Sequence, residues 1–127
     1  MDTIGNMLSA LMNGGQVKKS TVTVPASKLK MAVLDLLKKE GYIKTYHVHG
    51  DTKPVIEIVL EYVKDSPRIH GASRVSRLSN RVYVGVKDIT PVKYGHGMSV
   101  LSTPKGILSD KEARKELVGG ELLFTIW

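Results

Sequence analysis

At 127 residues, with 42% of them hydrophobic and 24% charged, the chain can hold one core or two small packed units, which excludes a large multidomain enzyme, a fibre and a disordered tail. Nineteen Lys and Arg against twelve Asp and Glu leave a formal charge of +7, a balance suited to RNA, DNA, an anionic membrane or an acidic protein partner. The absence of cysteine excludes disulfides and thiolate-bound metals and fits a reducing compartment, cytosol or organelle matrix.

Ile4, Met7, Leu8 and Leu11 recur at three and four residues and Gly14-Gly15 supplies a stop, so a short amphipathic helix is expected over 3–13. Residues 17–24 interleave β-branched and polar side chains and read as a strand ending at Pro25. Ser27 is placed to cap a helix over 28–39, with Leu29, Val33, Leu36 and Leu37 on one side and Gly41 closing it. Residues 42–48 and 55–63 form a predicted hairpin around the turn formers of 49–54. The first half is thus two helices over one face of a three-stranded sheet. No apolar run approaches the roughly 20 residues of a spanning helix, and no positive region leads into an apolar stretch near the start, so neither membrane nor secretory leader is expected.

At Lys64-Asp65-Ser66-Pro67 the helical period gives way to short strand-like runs broken by Gly, Ser and Pro. Strands are expected over 82–86, 92–94 and 99–101, then a helix opened by the capping box Ser109-x-x-Glu112, stopped by Gly119-Gly120 and followed by a strand over 121–127. The expected class is α+β in two subdomains: an N-terminal α-β-α-β-β unit over 1–64 and a mostly antiparallel β unit with one helix over 65–127.

His47 and His49 share one face of a strand, as metal ligands sometimes do. With no pattern such as His-Glu-x-x-His, two half-exposed imidazoles are the simpler reading, and no metal or cofactor is expected. Gly95-His96-Gly97 with Ser99 or Ser102 raises a small Ser-His hydrolase or transferase as a rival. Yet the segment lacks the second glycine of a nucleophile elbow, and no acid lies between Asp88 and Asp110 to orient the imidazole.

The basic charge is uneven: from Ser66 to Lys105 stand Arg68, Arg74, Arg77, Arg81, Lys87, Lys93 and Lys105 against Asp88 alone. Arginine forks with Ser73, Ser76 and Ser79 interleaved suit contact with a nucleic-acid backbone; a solvated loop, or a basic face for an acidic protein, is the alternative. Leu101-Ser102-Thr103-Pro104-Lys105-Gly106 offers short hydroxyls on a low loop beside a lysine, fit for the shallow groove of RNA. The same spacing also fits a hairpin whose Ser and Thr satisfy local amides. Tyr83 and Tyr94 are candidates to stack on an unpaired base, although Tyr83 alternates with valines as a partly buried residue would.

Tyr94-Gly-His-Gly-Met-Ser-Val-Leu-Ser-Thr-Pro-Lys-Gly-Ile-Leu-Ser-Asp-Lys-Glu-Ala-Arg114, with Gly119-Gly120-Glu121 running to Trp127, Pro25-Ala-Ser-Lys-Leu29 and Glu40-Gly-Tyr-Ile43, resembles the bacterial and organellar form of small-subunit ribosomal protein eight over nearly the whole chain. The resemblance implies a non-catalytic two-domain protein that binds the central domain of small-subunit rRNA, mainly an irregular helix, early in assembly. It also implies neighbouring small-subunit ribosomal proteins as partners, a ribosomal location in the cytoplasm or an organelle matrix, and in some bacteria repression of the protein's own operon mRNA. It places Ser102, Thr103, Lys105, Gly106, Tyr83 and Glu121 at RNA-contacting positions. Three departures stand out. Pro104 replaces a common serine and removes a hydroxyl and an N–H, Ala10 and Met12 replace two arginines, and Arg77-Leu78-Ser79-Asn80 replaces a basic-Pro-Gly turn.

Overall fold

The computed structural model describes residues 3–127, which fall into two units, Thr3–His70 and Gly71–Trp127. In the first, α1 (Thr3–Gln16) is followed by β1 (Thr21–Pro25), α2 (Lys28–Lys39), β2 (Ile43–His49) and β3 (Val55–Leu60). The strands form an antiparallel sheet in the order β1-β3-β2. Along β3 the side chains alternate, and Ile56, Ile58 and Leu60 are buried. The core is completed by Ile4, Met7, Leu8 and Leu11 of α1 and Val33, Leu34, Leu36 and Leu37 of α2. Burial of each such side chain contributes about 1.5–3 kcal/mol before the cost of ordering it. Ser27 caps α2 by accepting the Lys30 N–H at 3.2 Å, and Gly41 at φ 82° ends it, as its sequence predicts.

Helix α1 runs past its expected stop. Gly14 and Gly15 are buried inside it, because a Cβ on Gly14 would overlap the Val22 side chain and one on Gly15 would come 3.2 Å from Pro67. The glycines let the helix approach the sheet closely, and the turn out of it falls at Lys18, at φ 57°. There Lys19 N–H reaches the Gly14 carbonyl at 2.9 Å and Lys18 N–H the Gly15 carbonyl at 3.1 Å, a Schellman closure. The strand expected from residue 17 therefore begins only at Thr21. Two further short strands, β4 (Tyr62–Val63) and β5 (Ser66–Pro67), pair around Lys64 and Asp65, both at positive φ.

The second unit is a sheet in the order β6-β10-β8-β9, made of β6 (Ala72–Arg74), β8 (Met98–Thr103), β9 (Gly106–Ser109) and β10 (Gly120–Ile126). Strand β7 (Tyr83–Val84) pairs with the same edge of β10 as β6, further along. Helix α3 (Asp110–Glu116) opens on the predicted capping box: the Ser109 hydroxyl accepts the Glu112 N–H and the Glu112 carboxylate accepts the Ser109 N–H, both at 3.2 Å. Ala113 of α3 packs with Leu101 and Ile89, and Val84, Leu108, Val118 and Leu122 close around them.

Several sequence expectations shift here. Residues 92–94 do not form a strand; the chain turns in a 3-10 helix over Lys93–Gly95, with Lys93 at φ 50° and Gly95 at φ 90°. The strand over 82–86 shrinks to Tyr83–Val84, since Val86–Asp88 is another 3-10 turn. Strands β6 and β9 arise where the sequence assigned no element. Helix α3 ends at Leu117, at φ 57°, not at Gly119-Gly120. Those glycines serve the sheet: a Cβ on Gly119 would strike the Val84 carbonyl and one on Gly120 the Ser102 carbonyl.

Candidate nucleic-acid interface

Three of the residues singled out in the sequence lie in one line. Glu121 on β10 is directly opposite Tyr83 on β7 and Ser102 on β8, and Ser102 is opposite Ile107 on β9. Residues so paired point to the same face with Cβ atoms roughly 4.5–5.5 Å apart. Their sequence neighbours Val84, Leu122, Leu101 and Leu108 point the other way, into the packing around Ile89 and Ala113. The row Tyr83-Glu121-Ser102-Ile107 therefore faces away from that packing, and Tyr83 is 71% exposed.

The carboxylate in this row is tied down. Glu121 Oε2 accepts a hydrogen bond from the Ser76 hydroxyl and one from Arg81 Nη1 at 2.9 Å. Burial acts to raise the Glu121 pKa, but the hydrogen bonds from Ser76 and Arg81, with the charges of Arg81 and Arg74, outweigh it and hold the carboxyl below its ordinary range. A carboxylate whose charge is compensated in this way can stand beside phosphate and still accept a donor.

Beside the row, Pro104 and Lys105 form the tip of the β8–β9 hairpin. Thr103 pairs with Gly106, which stands at φ 109°. The Thr103 hydroxyl donates to the Gly106 carbonyl at 2.8 Å and accepts the Lys105 N–H at 3.1 Å. Thr103 thus holds the loop's shape, the local role left open by the spacing. Pro104 fixes one backbone angle at the first corner of the same turn. Lys105 pairs with Glu116 at 3.2 Å in a solvent-exposed contact, one of little energetic weight that a phosphate can replace.

The arginines divide. Arg81 clamps Glu121, while Arg77 is exposed on a tight turn closed by reciprocal bonds of 3.1 Å with Asn80. Arg74 donates from Nη1 to the Leu123 carbonyl, which also accepts the Val75 and Ser76 N–H groups at 3.1 and 3.3 Å. It pins the irregularity where the β10–β8 register shifts between Leu122 and Phe124. Arg68 belongs to the first unit and stacks on the Tyr42 ring at 4.2 Å. Ser76, read from sequence as a surface hydroxyl with Ser73 and Ser79, is fully buried. Its only sequence signal was its place among those serines. The stacking expected of Tyr94 concerns a side chain outside those described.

Ser99 is 5% exposed, its N–H bonded to Asp110 Oδ1 at 3.3 Å, and it lies on the opposite face of β8 from Ser102, so a nucleophile there has no access. His47 and His49 are exposed with ring centroids 6.3 Å apart, and no cluster of three potential metal ligands forms among the described residues. No helix among them is long and apolar enough to cross a membrane.

These features define an α+β protein of two units, the second of which sets Tyr83, Glu121 and Ser102 in one row across its sheet. The family model described as Ribosomal protein S8 matches residues 2–127. The small ribosomal subunit protein uS8 of Chloroflexus aggregans is 48% identical over 129 aligned residues, covering 99% of this chain and 97% of that protein. That of Ruegeria sp. (strain TM1040) is 48% identical over 128 residues, covering 99% and 98%, and that of Rhizobium etli (strain CIAT 652) is 44% identical over 128, covering 99% and 97%. The chain belongs to the ribosomal protein S8 family, and is accordingly a structural, non-enzymatic protein of the small ribosomal subunit.

Proposed function

We propose that this protein binds the central domain of small-subunit rRNA through its second unit and so aids subunit assembly. The observation that carries the reading is the alignment of Tyr83, Glu121 and Ser102 in one sheet row beside the Thr103–Gly106 turn. An exposed ring can stack on an unpaired base, the held carboxylate accepts hydrogen bonds from a base or ribose, and the serine hydroxyl can donate or accept. Lys105 on the hairpin turn and Arg77 on its own exposed turn would meet phosphate, which positions the RNA without reading it. An mRNA from the protein's own operon that folds into a similar irregular helix would occupy the same surface.

Tyr83→Ala and Ser102→Ala, each assayed against a central-domain rRNA fragment and an unrelated RNA of equal length, test this. Each substitution is expected to weaken the rRNA complex by about 1–3 kcal/mol while leaving the unrelated complex nearly unchanged. Equal losses on both RNAs would show that the row adds no selectivity.

A further inference from the structure

Between β6 and β7 the chain leaves the sheet and returns to the same edge of β10. The two ladders meet at Leu122, whose carbonyl accepts the Ser76 N–H at 3.1 Å and whose N–H donates to the Val82 carbonyl at 2.9 Å. At this junction the Val82 N–H finds its acceptor in a side chain, the buried Ser76 hydroxyl, at 3.1 Å. The same hydroxyl gives its proton to Glu121 Oε2. It therefore joins the residue just before Tyr83 to the carboxylate directly opposite Tyr83.

We infer that Ser76 is a positioning residue for RNA discrimination: fully buried, it fixes the Glu121 carboxylate and the strand that carries Tyr83 in a single arrangement. The inference rests on the RNA-binding reading above. A hydroxyl suits the place because one oxygen both accepts an amide and donates to a carboxylate. Arg81 also holds Glu121, from a side chain that is 44% exposed, whereas Ser76 is fully buried. Arg74 adds its charge to the surroundings of the carboxylate, Tyr83 is the titratable neighbour across the ladder, and Ser102 and Ile107 bring no charge.

Ser76→Ala leaves the Val82 amide and the Glu121 carboxylate each short of a partner. Its affinity for the central-domain rRNA helix is expected to fall about tenfold or more, with unrelated RNA changed by less than about twofold. In a double-mutant cycle with Glu121→Gln the losses should not multiply, the paired variant binding no worse than Glu121→Gln alone. A purely structural serine would give multiplying losses, and that result, or an unchanged Ser76→Ala affinity, overturns the inference. A measurement on the unaltered protein covers a variant that fails to fold: a carboxyl-carbon NMR titration should place Glu121 below an ordinary glutamate, and a midpoint at or above the ordinary value overturns it. Failure of the underlying RNA reading shows itself separately, as unaltered protein that binds unrelated RNA as tightly as the rRNA helix.

Discussion

Glu121 is the residue whose chemistry runs against its surroundings: a carboxylate on a face proposed to meet phosphate. Its charge is already committed to Ser76 and Arg81, which keep it ionised below the usual glutamate range. A depressed carboxyl pKa contributes stability that is fully present above the unfolded value of 4.5 and is lost as pH falls through the lower folded value. Thermal melts over roughly pH 3 to 6 should therefore show an acid-side loss of stability that is shallower in Glu121→Gln. Identical acid limbs would contradict the network. The site's polar members were legible one at a time from residue type, but not their bonding. Thr103 reads in sequence as a donor for RNA and in the structure spends its hydroxyl on Gly106 and Lys105. Ser76 cannot be told from Ser73 and Ser79 until the strand excursion that buries it is known.

Elements were legible where a local rule decides them and not where a long-range approach does. The Ser27 cap and the Ser109 capping box depend on residues three apart and were formed as read. Gly14-Gly15 and Gly119-Gly120 look like helix stops, yet both pairs are small because another element comes within van der Waals reach, which no local pattern records. The two readings separate by experiment. Gly120→Ala would press against the Ser102 backbone and is expected to cost about 1–3 kcal/mol or more, seen as a lower Tm. Leu117, exposed and left-handed at the true end of α3, should instead welcome glycine: Leu117→Gly is expected to stabilise by about 1 kcal/mol, because the left-handed conformation no longer opposes a Cβ. A destabilised Leu117→Gly would contradict that account of the helix end. Strands β6 and β9 leave no clear pattern in the sequence because they are only three and four residues long and gain their stability by pairing with partners already in the sheet.

For the whole molecule, a +7 chain whose cations between Arg68 and Lys105 face Asp88 alone predicts binding that weakens with salt. If four to six phosphates are met, the slope of log affinity against log salt should be roughly −3 to −5, and a salt-independent complex would remove the electrostatic part of the proposal. Class, family and absence of catalysis were readable from composition and motif. The alignment of Tyr83, Glu121 and Ser102 was not, since residues 83, 102 and 121 meet only once β10 has paired on both sides. The claim that this row and its hairpin form the RNA-reading surface is tested most directly by amide NMR of the labelled protein titrated with the central-domain rRNA helix. The account predicts that the largest shifts fall at Tyr83, Ser102, Thr103, Lys105, Gly106 and Glu121. Large shifts confined to residues 3–70, with the hairpin signals unmoved, would contradict it.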